Sequence, residues 1–189
     1  YLHKDRNGLL KYTPVWDFDR TIGSDTDFRS ANPRELGDIF GRRWFGRLFS
    51  DPDFSQAWVD RWQELRKDLF TDETYSEIIV DLSSQISESQ QRNFDRWPSV
   101  SPNGGPYADS GLARWEGELS HVKGWLSARL HWTDTLLVEP PTFNRQNVVV
   151  PAGFGVTLTA SSGEIYYTMD GSDPRAPGGE PSAQAILYT

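Results

Sequence analysis

The spacing of apolar residues changes period along this chain, and the changes mark its parts. Tyr1–Lys4 and Leu9–Trp16 read as strands joined by the turn Asp5-Arg6-Asn7-Gly8. An Asn-Gly pair supplies the positive-φ positions that a tight hairpin turn needs. In the second strand Leu10, Tyr12 and Trp16 share one parity, and Thr13, Val15 and Asp17 take the other face. Pro14 interrupts that strand and marks an edge or a bulge.

From Asn32 the period lengthens to that of helices. Asn32-Pro33 reads as an N-cap and first helical residue, opening a helix with Leu36, Ile39, Phe40, Trp44 and Leu48. Asp51-Pro52 repeats the signal ahead of a stripe of Phe54, Trp58, Trp62, Leu65 and Leu69. Thr71 caps a third helix carrying Tyr75, Ile78, Ile79, Leu82 and Ile86, which runs on towards Trp97-Pro98. Ser99–Gly111 is a Ser/Pro/Gly loop. The last helix spans about Leu112–Leu137, with Trp115, Leu119, Val122, Leu126, Leu130, Thr133 and Leu137 on one face.

Beyond Glu139-Pro140-Pro141 the pattern shortens again, to strand-like Asn147–Val150, Gly155–Ala160 and Glu164–Met169. Asp170-Gly171 marks a turn, and the stretch to Gly179 reads as a loop. Pro-Pro stiffens and extends a connection. The expected fold class is therefore α+β, with residues 1–138 a hairpin-plus-helix domain and 139–189 a strand module. The second part is short for a whole sandwich, so further strands are expected beyond it.

Composition sharpens this division. All eight tryptophans precede Glu139, and no lysine follows it. Apolar residues make up 37% and aromatics 13% of the chain; that many large rings can organise a core poor in aliphatics. A net charge of −8 sets the overall field against nucleic acid and anionic membrane surfaces. No apolar run is long enough to span a bilayer. Without cysteine there is no disulfide framework, thiol nucleophile or thiolate zinc site. The chain opens on Tyr1 rather than Met, so the true N-terminus is expected to lie upstream, and missing targeting signals carry no weight.

The densest candidate for chemistry is Val15-Trp16-Asp17-Phe18-Asp19-Arg20-Thr21-Ile22-Gly23. Asp17 and Asp19 at a strand end offer hard oxygen ligands for magnesium, which takes one or two protein carboxylates with phosphates and water. The plainer reading has Asp17 capping a turn and Asp19 paired with Arg20. Spacing alone leaves both open. His3, His121 and His131 are scattered, and His121 and His131 are too far apart on their helix to form a ligand pair, so structural roles are expected. Ser24-Asp25-Thr26-Asp27 lacks the Gly and distal Glu of a calcium loop and reads as a solvated acidic loop.

The run from Tyr1 to Asp19, with its strand, its Asp- and Gly-containing turn and its second strand leading into Pro14-Val15-Trp16-Asp17-Phe18-Asp19, resembles the CotH (spore coat protein H) kinase-like family. The resemblance implies the hairpin and helical rear lobe of an atypical protein-kinase-like domain. It matches Trp16-Asp17-Phe18-Asp19 to the Asp-Phe-Gly segment of ordinary kinases, whose Asp holds magnesium on the ATP phosphates. Asp17 is then the metal and cofactor ligand, and Asp19 a second ligand standing where ordinary kinases have Gly. The family's catalytic Asp and the Asn after it are expected upstream of Tyr1, with the phosphate-covering loop and nucleotide-contacting Lys further upstream. This segment alone is thus expected to be inactive. The implied activity is Mg2+- and ATP-dependent phosphorylation of Ser or Thr on secreted or surface proteins, acting outside the cell or at its surface. The competing class is a non-catalytic surface or adhesion protein that keeps the fold.

A second resemblance covers Ile165-Tyr166-Tyr167-Thr168-Met169-Asp170-Gly171-Ser172-Asp173-Pro174-Arg175, which is similar to chitobiase C-terminal-like and fibronectin-III-associated modules. It implies a partial immunoglobulin-like β-sandwich used for spacing and packing. There Asp170-Gly171 forms a turn, and Asp173 and Arg175 tie the loop together.

Overall fold

The computed structural model describes residues 2–12, 21–23, 30–35, 43–97, 114–146 and 148–189. The fold class is α+β, as the apolar pattern predicts. In chain order the elements are β1 (Leu2–His3), β2 (Lys11–Tyr12), α1 (Arg43–Phe49), α2 (Pro52–Asp68), α3 (Asp72–Gln85), α4 (Ser87–Arg96), α5 (Arg114–Asp134), β3 (Thr142–Phe143), β4 (Leu158–Thr159), β5 (Tyr166–Tyr167) and β6 (Ile186–Leu187). They group into two compact units: residues 1–35 with 72–129, and residues 36–71 with 130–189.

In the first unit, β1 and β2 pair antiparallel, with Leu2 opposite Tyr12 and His3 opposite Lys11. The hairpin is present, but its turn differs from the one expected. Neither Asn7 nor Gly8 takes the left-handed conformation. The chain instead turns through a Gly8 N–H bond to the Asp5 carbonyl at 3.1 Å. A Cβ on Gly8 would meet the Asp5 Cβ at 3.2 Å, so small size is what this position uses.

The third predicted helix is two. α3 stops at Gln85, Ile86 leaves helical geometry (φ −112°, ψ 10°), and α4 restarts at Ser87. The cause is local. The hydroxyls of Ser83, Ser84 and Ser89 donate to the carbonyls of Val80, Asp81 and Ile86, three residues back. Such bonds compete with the helical ladder and bend helices. Ile78, Leu82 and Ile86 of the expected buried stripe are exposed.

In the second unit, Asp51 caps α2 as its sequence predicts. Its carboxylate accepts from the N–H groups of Asp53 (2.9 Å) and Phe54 (3.3 Å), with Pro52 at the first helical position. The aromatic stripe becomes a chain of ring contacts: Phe49 on Phe54 and Trp58, Trp58 stacked on Trp62 at 6.2 Å, and Trp62 edge-on to Phe70 at 5.6 Å. Asp134, at the end of α5, accepts from Trp62 Nε1 at 2.9 Å and from Arg66 Nη2 at 2.8 Å. Beside it Leu130 and Thr133 are buried, at 2% and 3% exposure.

The strand region also departs from expectation. β3 pairs with β4, and β5 with β6, as two antiparallel two-stranded sheets. No strand forms over 148–150, where Val149 is fully exposed. The partner of β4 lies earlier, at Thr142–Phe143. Asn144 secures that pairing by accepting from Thr157 N at 3.0 Å and donating to the Gly155 carbonyl. The Tyr188 hydroxyl accepts from Leu158 N, and its ring meets Tyr167 edge-on, which links the two sheets.

Candidate functional site

Asp17 and Asp19 lie outside the described residues, as do Trp16 and the Ser24–Asp27 segment. The structure therefore places what flanks them. On the N-terminal side is the β1–β2 hairpin. On the C-terminal side, Ile22 and Gly23 both adopt positive φ, at 61° and 72°. For a β-branched residue the left-handed conformation costs about 1–2 kcal/mol, so surrounding contacts must hold it.

Those contacts come from α5. His121 Nε2 lies 2.7 Å from the Ile22 carbonyl oxygen. A carbonyl only accepts, so Nε2 carries the proton. Trp125 Nε1 donates to the Ser30 carbonyl at 2.9 Å, and Arg129 Nη1 donates to the Glu35 carbonyl. Gly23 N–H donates to Ser30 Oγ at 3.0 Å. A Cβ at Gly23 would sit 3.2 Å from His121 Nε2, so glycine is needed both for the backbone angle and for this close approach. Asn32 continues the segment as a local cap: its Oδ1 accepts from Arg34 N and its Nδ2 donates to Glu35 Oε1, both at 2.9 Å. Whether the predicted helix follows directly lies outside the described residues.

The electrostatics here are moderate. Burial pushes the Glu118 carboxyl above its ordinary range, and His121 partly offsets that. Burial pulls the Arg129 guanidinium down, opposed by Glu35; the same group lies 4.9 Å over the Trp125 ring. His121 is thus a structural donor, in keeping with its sequence reading. Among the described residues no cluster of three or more His, Cys, Asp or Glu could hold a metal ion. No helix there is long and apolar enough to cross a membrane.

The Asp170–Arg175 loop is built as its sequence implies. Asp170 accepts from Ser172 N (3.0 Å) and Ser172 Oγ (2.6 Å), with Gly171 at φ 78°. Asp173 accepts from Arg175 N at 2.9 Å and from its guanidinium. Sequence reasoning missed where Arg175 goes next. Its Nη2 reaches Asp60 of α2 at 2.7 Å, and Gly178 N–H donates to Asp53 Oδ1, also at 2.7 Å. It also passed over Trp125 and Arg129 as donors. The available signal was the regular four-residue spacing of His121, Trp125 and Arg129 along α5, beside the Leu119–Leu130 stripe.

The family model described as CotH kinase protein matches residues 1–133, from the hairpin through nearly all of α5. No curated protein and no solved structure matches the chain.

Proposed function

We propose that this chain, which belongs to the CotH kinase protein family, is part of a Mg2+- and ATP-dependent kinase that phosphorylates Ser or Thr of secreted or surface proteins. The observation that carries this reading is Pro14-Val15-Trp16-Asp17-Phe18-Asp19, lying inside the matched residues 1–133. The donor chemistry fits the group: two carboxylates, two residues apart, offer the hard oxygen ligands that magnesium takes alongside phosphates and water. When bound, the ion neutralises charge on the phosphoryl group being transferred.

Asp17 is the main ligand and Asp19 assists it. Together they would hold the ion on the phosphates, so that the acceptor hydroxyl could be brought into line. The strand region serves as a chitobiase-like packing module.

The test uses the intact protein that carries this segment, γ-labelled ATP and a set of secreted acceptor proteins. Label should appear on serine or threonine and vanish when magnesium is chelated. Transfer that persists under chelation, or label confined to other residue types, would count against the reading.

A further inference from the structure

Three side chains of α5 stand four residues apart, His121, Trp125 and Arg129, and each donates one hydrogen bond to a main-chain carbonyl of residues 22–35. Four residues advance a helix by about 6 Å and return to nearly the same face. The three donors therefore form a ladder along one side of α5, and the carbonyls of Ile22, Ser30 and Glu35 dock on it in the same order. The ladder's first rung meets the chain three residues after Asp19, at the one non-glycine positive-φ residue among those described.

We infer that His121, Trp125 and Arg129 are positioning residues that fix the segment leaving the Asp17–Asp19 motif, holding the motif's C-terminal end in register. The inference rests on the proposed role of that motif. Three observations converge on it. Ile22 holds a conformation its side chain disfavours, which persists only where neighbours impose it. A Cβ at Gly23 would press on His121 at 3.2 Å and would have to take a positive φ of 72°. The bond from Gly23 N to Ser30 Oγ ties residue 23 to residue 30, whose own carbonyl is the second rung. Residues 22–23 and 30–35, tied to each other and to one helix, offer fixed anchor points, which is what a neighbouring ligand-bearing segment needs to stay within reach of its ligand.

His121 is the rung to test, because two amides separate its chemistry. Glutamine places an N–H near the Nε2 position; asparagine is too short to do so. Hydrogen exchange of peptides covering residues 20–35 is measured on the intact protein carrying His121→Asn or His121→Gln, with peptides from α2 as the internal reference. Loss of one anchoring bond should speed exchange of residues 20–35 by about tenfold in His121→Asn. The α2 peptides should stay unchanged, and His121→Gln should lie near wild type. Phosphate transfer should fall in parallel for His121→Asn, through kcat rather than KM, and return with His121→Gln.

Unchanged exchange in His121→Asn overturns the ladder, whatever the activity. Faster exchange with a wild-type kcat overturns its positioning role. Asp17→Asn on the same assay separates the two ideas: if it transfers at the wild-type rate, the magnesium reading fails while the exchange result still decides the ladder.

Discussion

Asp134 shows how far one carboxylate can organise its surroundings. It takes the indole N–H of Trp62 and the fork of Arg66, whose Nη1 also donates to the Phe70 carbonyl. Removing it leaves a half-buried cation and an indole donor unsatisfied. Asp134→Ala should therefore cost about 2–3 kcal/mol, read from the urea midpoint, and Asp134→Asn less. Asp173 and Asp170 give a pH dependence instead. Arg175 holds the Asp173 carboxyl low, and Ser172 does the same for Asp170. A depressed folded pKa gives stability that is present above the unfolded value of ~3.9 and lost as pH falls below it. Thermal melts should show an acid limb there that is shallower in Asp173→Asn; an identical limb in the variant would contradict this. At this scale the short-range bonds were legible: Asp51 on its helix, and Asp173 with Arg175. The partners Asp60 and Asp134 were not, because a contact between residues far apart in sequence leaves no local pattern. Nor was the positive φ of Ile22, since a β-branched residue argues locally for the opposite.

Helices were more legible than strands for a physical reason. A helix carries its start signal and its apolar period within itself, so Asp51-Pro52 and the ring stripe fixed α2 closely. A strand is defined by its partner. The run Val148-Val149-Val150 has strong β propensity yet forms no strand, while Thr142–Phe143 pairs with β4, held by the next residue, Asn144, whose N–H and Oδ1 both bond Thr157. β6 at Ile186–Leu187 was missed in the same way. The break at Ile86 was hidden because apolar spacing continues across it; the serines that cause it act through hydroxyl bonds. Replacing Ser83 and Ser84 together with alanine should remove those competing bonds and raise helix stability by up to about 0.5 kcal/mol each, seen as more helical circular dichroism and a higher melting midpoint. Unchanged circular dichroism with an unchanged or lower midpoint would contradict the serines as the cause of the break.

At the scale of the whole molecule, the family was legible from the first nineteen residues, and the match over residues 1–133 bears it out. The grouping of residues 36–71 with 130–189 was not, since it rests on long-range contacts such as Arg175 with Asp60 and Gln63 with the Val138 carbonyl. Glu139–Pro141 are exposed beyond that last anchor. Limited proteolysis should cut between residues 137 and 147; a first cut confined to α2 would contradict the proposed boundary. The central claim is that Asp17 carries magnesium for phosphate transfer, and one comparison meets it directly. Asp17→Asn keeps the shape of the side chain and removes its charge. In the intact protein, with circular dichroism confirming the fold, label transfer from ATP should be abolished, with an equal or smaller loss in Asp19→Asn. A folded Asp17→Asn protein that transfers phosphate at the wild-type rate would contradict the account.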